Sequence, residues 1–190
     1  MTGGTMAIKE PWRMAMVYLS DALGEQIKDV QIEFMKRVET QKWDILKRMI
    51  EKKLNTPWTS SMGRLFDGVS SLLSIRDEVH YEGQAAIELE MVADRNVKEK
   101  YSFHIHEDKD PTVIDLTETI REIVRDLTHG APSSEISGKF HQTVSRLIVE
   151  TCETIRSKEK LNRVVLSGGV FQNIFLLSLV TEGLRGSGFD

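Results

Sequence analysis

The chain has 190 residues, a formal net charge of −4 at pH 7 and a 40% apolar content, which fits one domain, or one lobe of a two-lobed protein, with a real core. Acidic and basic residues are mixed without a basic stripe, so the electrostatic footprint of a nucleic-acid binder is missing. No apolar run approaches the roughly 20 residues of a membrane span, and "MTGGTMAIKEPW" has no signal-like apolar region, so the expected location is cytoplasmic.

Cys152 is the one cysteine. It excludes an internal disulfide framework and a multi-cysteine zinc site. Its helical surroundings point to a structural thiol, because no activating neighbour is visible.

The first third reads as helices. "EPWRMAMVYLSDALG" places Pro11 in a first turn and Gly24 as a stop. Trp12, Met16, Leu19 and Leu23 recur at helical spacing. A second helix is expected over about Ile27–Val38 and a third over about Trp43–Leu54, with Trp43, Leu46, Met49 and Ile50 on one face. "NTPWTSS" is a loop whose serines can cap the next helix. That helix, "SSMGRLFDGVSSLLSI", carries Leu65, Val69, Leu72 and Leu73 as its core stripe.

"YEGQAAIELEMVAD" predicts a helix opened by Gly83, and the alternating "YSFHIH" a short strand. "TVIDLTETIREIVRDLTHG" gives a brief strand and then a helix, with Asp115 and Glu118 resembling a capping box and Gly130 closing the far end. The longest helix lies in "APSSEISGKFHQTVSRLIVETCETIRS". Ile136, Phe140, Val144, Leu147, Thr151 and Ile155 keep its face.

"RVVLSGGVFQN" follows. Val164–Ser167 looks like a buried strand, Gly168 and Gly169 break it, and a helix is expected over Phe171 to about Leu184. The division expected is a mainly helical part over 1–160 and a strand–glycine–helix unit over 161–190. A strand feeding a helix needs a crossover to a parallel neighbour, so the chain is expected to be a fragment or one lobe of a larger unit.

The glycine turn admits two readings. Its N–H groups can form an anion nest backed by the positive end of the next helix, or it is only a turn. Asn173 can cap that helix or reach a ligand. The turn is not a Walker loop, since no Gly-Lys-Ser/Thr follows. His104 and His106 share a strand face and could pair on a metal, yet the charged residues after them favour an exposed strand end. His141 sits within the longest helix, one residue after Phe140, and could bond a nearby loop or carry function, with the structural reading favoured. Asp67 follows an apolar pair and suits ribose hydroxyls or solvent. Glu88 and Glu90 do not share a helical face, so one can point to a ligand and the other to solvent.

Together, "TSSMGRLFDGVSSLL", "YEGQAAIELE", "FHQT" and "VVLSGGVFQNIFLL" resemble, in order and spacing, the C-terminal part of HypF-type carbamoyltransferases, which are hydrogenase maturation proteins. "GGTMAIKEPWRMA" resembles the segment before them. The resemblance implies a helix-rich α/β fold: a partial, second lobe of a Kae1-like domain of the actin/sugar kinase/Hsp70 class. It implies ATP as cofactor, carbamoyl phosphate as the parent's substrate, and carbamoyl-adenylate made in a separate domain. The carbamoyl group then goes to the C-terminal cysteine of a HypE-type partner, for the cyanide ligand of [NiFe] hydrogenases.

The resemblance also implies a nucleotide-binding set: Asp67 on ribose; Gly83, Gln84 and Glu88 as a ribose-contacting segment, with Gln84 in place of a glycine; and Gly168, Gly169 and Asn173 at the phosphate end. The family's histidine motif and its later metal-binding aspartate are not matched, so no complete metal site is expected; charge and hydropathy lead to no expected nucleic-acid or membrane partner, and with only part of a nucleotide site the chain alone is expected to be inactive. Exposed apolar surface at a sheet edge would favour a dimer. The alternatives are a related Kae1/TsaD-type tRNA threonylcarbamoyl transferase lobe, against which "GGVFQN" stands, and a non-catalytic helical interaction module.

Overall fold

The computed structural model describes residues 1–190. Its helices in chain order are α1 (Met6–Lys9), α2 (Pro11–Leu23), α3 (Glu33–Arg37), α4 (Thr40–Glu51), α5 (Met62–Leu72), α6 (Gln84–Val92), α7 (Thr117–Thr128), α8 (Ser133–Glu159) and α9 (Ile174–Gly186). Strands β1 (His104–His106) and β2 (Val113–Asp115) form an antiparallel hairpin, with Ile105 opposite Ile114. No helix is long and apolar enough to cross a membrane.

The core forms where the apolar stripes of α2, α5, α8 and α9 meet. Helix α2 starts on Pro11, whose fixed φ suits a first turn and whose missing N–H costs nothing there. It buries Trp12, Met16 and Leu19 and stops at Gly24, which has φ 55°. Helix α5 is capped by Ser61, whose Oγ accepts the Arg64 N–H at 3.4 Å. It buries Leu65, Phe66, Val69 and Leu72. Phe66 meets Phe140 of α8 edge-on, with ring centroids 4.9 Å apart. Burying each such side chain contributes roughly 1.5–3 kcal/mol.

Two glycines set how closely the layers approach. A Cβ on Gly68 would lie 2.8 Å from the Tyr18 ring and 3.3 Å from the Ala15 nitrogen, so α5 rests directly on α2. A Cβ on Gly138 would lie 2.5 Å from the Asp94 carbonyl oxygen, so α8 presses on the turn after α6.

The structure differs from the sequence reading in four places. The segment expected as one helix over Ile27–Val38 is split. A 3₁₀ turn over Gly24–Asp29 ends at the extended Val30, and Ile32, also extended, precedes α3. Ile27, Ile32 and Phe34 are all buried, a spacing that one straight helix does not present to one side. In α4 only Leu46 is fully buried and Ile50 is 37% exposed.

Asp115 does not build a capping box with Glu118. Its Oδ1 accepts the Thr117 N–H at 2.8 Å, whereas Glu118 pairs with Arg121 at 3.4 Å. Last, Val164–Ser167 is not a ladder strand, because beyond Val164 no other segment of this chain pairs with it, and Val165 is 82% exposed. The run is tied at its start, where the Val164 N–H donates to the Asp190 carbonyl and the Asp190 N–H donates to the Asn162 carbonyl, both at 3.0 Å. The glycines lead into a 3₁₀ turn over Gly169–Gln172, and α9 begins only after Asn173.

Candidate functional site

A cleft of about 530 Å³ opens between the N-terminal ends of α5 and α6 and the glycine turn before α9. Helix α5 contributes Arg64 and Asp67, α6 contributes Ile87 and Glu90 after Gly83, and the turn contributes Gly169 and Asn173. The lining comes from three segments far apart in sequence.

Asp67 is 2% exposed. Its Oδ2 lies 2.8 Å from Arg64 Nη2, one turn earlier on α5. The approach is out of line for a hydrogen bond, and Oδ2, Arg64 Nη1 and Ser70 Oγ are buried without hydrogen-bond partners. Burial pushes the Asp67 pKa up to about 6; the Arg64 guanidinium opposes this and Glu82 adds to it. A buried ion pair with orphaned atoms is costly in the free protein, and groups held this way in a cleft mark functional sites.

At the opposite end the side chains of Asn173, His141 and Glu90 each have a partner. Asn173 caps α9, its Oδ1 accepting the Leu176 N–H at 2.7 Å. Its Nδ2 lies 2.9 Å from Nε2 of His141, which is buried in α8. Glu90 Oε1 accepts the Phe175 N–H at 3.0 Å, and Arg95 approaches the same oxygen at 3.8 Å. Two first-turn donors of α9 are thus occupied by side chains of the protein. An anion at this end meets the glycine turn first, not a bare helix terminus.

Four of the seven residues singled out from the sequence line the cleft together: Asp67, Gly83, Gly169 and Asn173. Gly83 has φ 82°, a conformation that glycine adopts without strain, and opens α6 with free space where a Cβ would stand. Gly168, with φ 96°, shapes the turn but does not line the cleft.

Gln84 and Glu88 lie behind the cleft. Glu88 takes two hydrogen bonds from Arg76, both 2.8 Å, and one from Gln84 Nε2 at 2.9 Å, and the Arg76 bonds hold its pKa below the usual carboxylate range. Gln84 Oε1 accepts the His80 N–H at 2.9 Å. Of the two carboxylates on α6, Glu90 is the one that reaches the cleft, as the helical spacing allowed. Arg64 was missed, although its place one turn before Asp67 was a readable i, i+3 signal.

The histidine pair stays apart from the cleft. His104 is exposed, and His106 Nε2 sits 3.6 Å from Asp115 Oδ2 across the hairpin. Cys152 is half-buried, and burial together with Glu153 pushes its thiol pKa up, as suits an unreactive sulfur.

The family described as "Carbamoyltransferase, Kae1-like Domain, second subdomain" matches residues 1–190. The probable carbamoyltransferase HypF of Methanocaldococcus jannaschii is 31% identical over 191 residues, a match covering 99% of this chain and 24% of that protein. Carbamoyltransferase HypF of Synechocystis is 30% identical over 204 residues, covering 100% and 26%. The crystal structure of a full-length HypF in its phosphate- and nucleotide-bound form matches with a TM-score of 0.89 and 39% identity, over 100% of this chain and 29% of that one. HypF of T. kodakarensis shares the fold, with a TM-score of 0.80 at 22% identity over 98% of this chain. The chain spans about a quarter of the length of these relatives. Matched from end to end in sequence and in fold, the chain belongs to the HypF-type carbamoyltransferase family, as the second subdomain of its Kae1-like domain.

Proposed function

We propose that this chain forms one wall of an adenine-nucleotide site in a HypF-type enzyme. The enzyme as a whole would move a carbamoyl group from carbamoyl phosphate, with ATP, to the C-terminal cysteine of a HypE-type partner. One observation carries the reading. Asp67, with its pKa raised to about 6 and its Oδ2 lacking a hydrogen-bond partner, shares a cleft with an unobstructed glycine turn. A carboxylate needing donors suits ribose hydroxyls, and a turn without side chains suits phosphate oxygens. A related full-length HypF carrying phosphate and nucleotide supports the same assignment.

The residues present fit such a ligand. Asp67 would accept hydrogen bonds from the sugar, with Arg64 keeping it ionised. Gly83 would let the start of α6 approach the sugar closely. Gly169 and Asn173 would face the phosphates. Ile87, 45% exposed at the rim, would cover an apolar face of the base. When bound, the nucleotide supplies an activated phosphoanhydride. The chain's own residues bind it, orient it and exclude water from one side. Gln84 and Glu88 act from behind, holding the start of α6 against Arg76.

Titration with a fluorescent ATP analogue tests the reading. Binding that is lost in Asp67→Ala and weakened in Asn173→Ala, but kept in Glu88→Gln, is expected. Wild-type protein that binds nothing at millimolar analogue would leave a helical interaction module as the better description.

A further inference from the structure

His141 lies in the N-terminal third of α8 and is fully buried. Its ring is surrounded by Phe66, Phe140 and Phe175, with centroids 5.3, 6.1 and 5.1 Å away. Neither ring nitrogen is free. Nδ1 lies 2.8 Å from the Ser137 carbonyl oxygen and 3.5 Å from Ser137 Oγ, whose own hydrogen goes to the Leu89 carbonyl, and Nε2 lies 2.9 Å from Asn173 Nδ2.

These contacts leave one assignment of hydrogens. A carbonyl oxygen only accepts, so Nδ1 carries the proton. Nε2 is then the acceptor, and Asn173 Nδ2 donates to it. That fixes the Asn173 amide the right way round: Oδ1 must be the atom that accepts the Leu176 N–H, as its 2.7 Å contact requires. A single chain of donors therefore runs from Leu176 through Asn173 and His141 to Ser137. Ser137 Oγ extends it by donating to the Leu89 carbonyl of α6 at 2.6 Å. Asn173 Nδ2 keeps one further N–H, with no acceptor in the protein, on a residue that lines the cleft.

We propose that His141 is a positioning residue for the cleft: as the neutral Nδ1–H tautomer it locks the Asn173 amide, so that one amide donor is presented to a ligand oxygen while α9 stays capped. The clause about a ligand rests on the nucleotide reading above; the lock itself does not. Protonation of His141 would turn Nε2 into a donor facing a donor, and the amide would have to turn over or leave. The charged group that acts on the ring is Arg95, after α6, and the elements packed against it otherwise present Phe66 of α5, Phe140 and Ser137 of α8 and Phe175 of α9. Helix α9 and its cap contribute the uncharged Phe175 and Asn173 and the positive end of the helix dipole. Burial, opposed by the Ser137 hydrogen bond and aided by Arg95, pushes the His141 pKa down to about 4, which keeps the lock closed at neutral pH.

Nitrogen-15 NMR of the histidine-labelled chain near pH 7 tests the lock directly. A protonated Nδ1 and an unprotonated Nε2 at His141 are expected; the opposite tautomer overturns the proposal. Its consequence is read by ATP-analogue affinity in two variants of equal helical content. Gln places an oxygen near the site of Nε2, so His141→Gln should bind like wild type. His141→Leu should bind roughly fivefold or more weakly, the scale of one neutral hydrogen bond. Equal affinity in all three, or equal losses in both variants, removes the positioning role. Wild type that binds no nucleotide defeats the proposed function instead, and the tautomer spectrum still decides the lock, as it does if His141→Leu fails to fold.

Discussion

The two ends of the cleft are built in opposite ways. At the Asp67 end a carboxylate, a guanidinium and a hydroxyl are buried with atoms unbonded. At the Asn173 end Asn173, His141 and Glu90 have partners at ordinary distances. Unbonded buried groups cost free energy that a ligand can recover, whereas a satisfied network is already rigid. On the proposed nucleotide reading, the first end would drive binding and the second would impose geometry.

The same contrast governs pH. A histidine with its pKa lowered to about 4 binds protons more readily when unfolded, so its contribution to stability is present above about pH 6.5 and is lost as pH falls towards 4. A carboxylic acid raised to about 6 holds its proton longer in the folded state, so its contribution is present at low pH and is lost as pH rises from 3.8 through 6. The two slopes oppose each other over nearly one window, and single substitutions should uncover them.

The largest effect is expected from His141→Gln. The stability advantage of wild type over this variant should shrink by about 3 kcal/mol between pH 7 and pH 4, measured by urea unfolding at both. Asp67→Asn should do the reverse. Wild type should gain on it by roughly 2–3 kcal/mol over the same drop in pH, because only wild type relieves a buried charge by protonation. An unchanged difference across that range in either variant would break the contrast.

Gly138→Ala probes the support under the rigid end. Its methyl would meet the Asp94 carbonyl at 2.5 Å, and a loss of about 1–3 kcal/mol in thermal or urea unfolding is expected. The smallest effect should come from Glu90→Gln. The amide oxygen can still accept the Phe175 N–H, so only the charge at the α9 terminus is lost, worth within about 1 kcal/mol. A larger loss would mean that the Glu90 charge, and not only its hydrogen bond, holds the rigid end.

Much of this was legible because it is local. The spacing of Leu65, Val69 and Leu72 gave α5, Pro11 and Gly24 bounded α2, and Gly83 announced the left-handed start of α6. What was not legible depends on distant partners. Val164–Ser167 has the composition of a strand, but a ladder needs a second strand, and no segment of this chain supplies one. Spacing separated Glu88 from Glu90 without saying which faces the cleft; Arg76, from the turn after α5, decides it. His141 read as structural, and it is, but its partner Asn173 is the cap of another helix. The hydrogen-bond direction that gives it a second meaning exists only in three dimensions.

The paired main-chain bonds between Asn162, Val164 and Asp190 act as a clasp. They join the base of the extended run to the far end of α9, so the glycine turn sits inside a closed ring of backbone and not on a free arm. The clasp limits how far the turn can move while α9 stays in place. Ligand contact at Gly169 should then register at the opposite end of α9, as slower amide exchange at Val164 and Asp190.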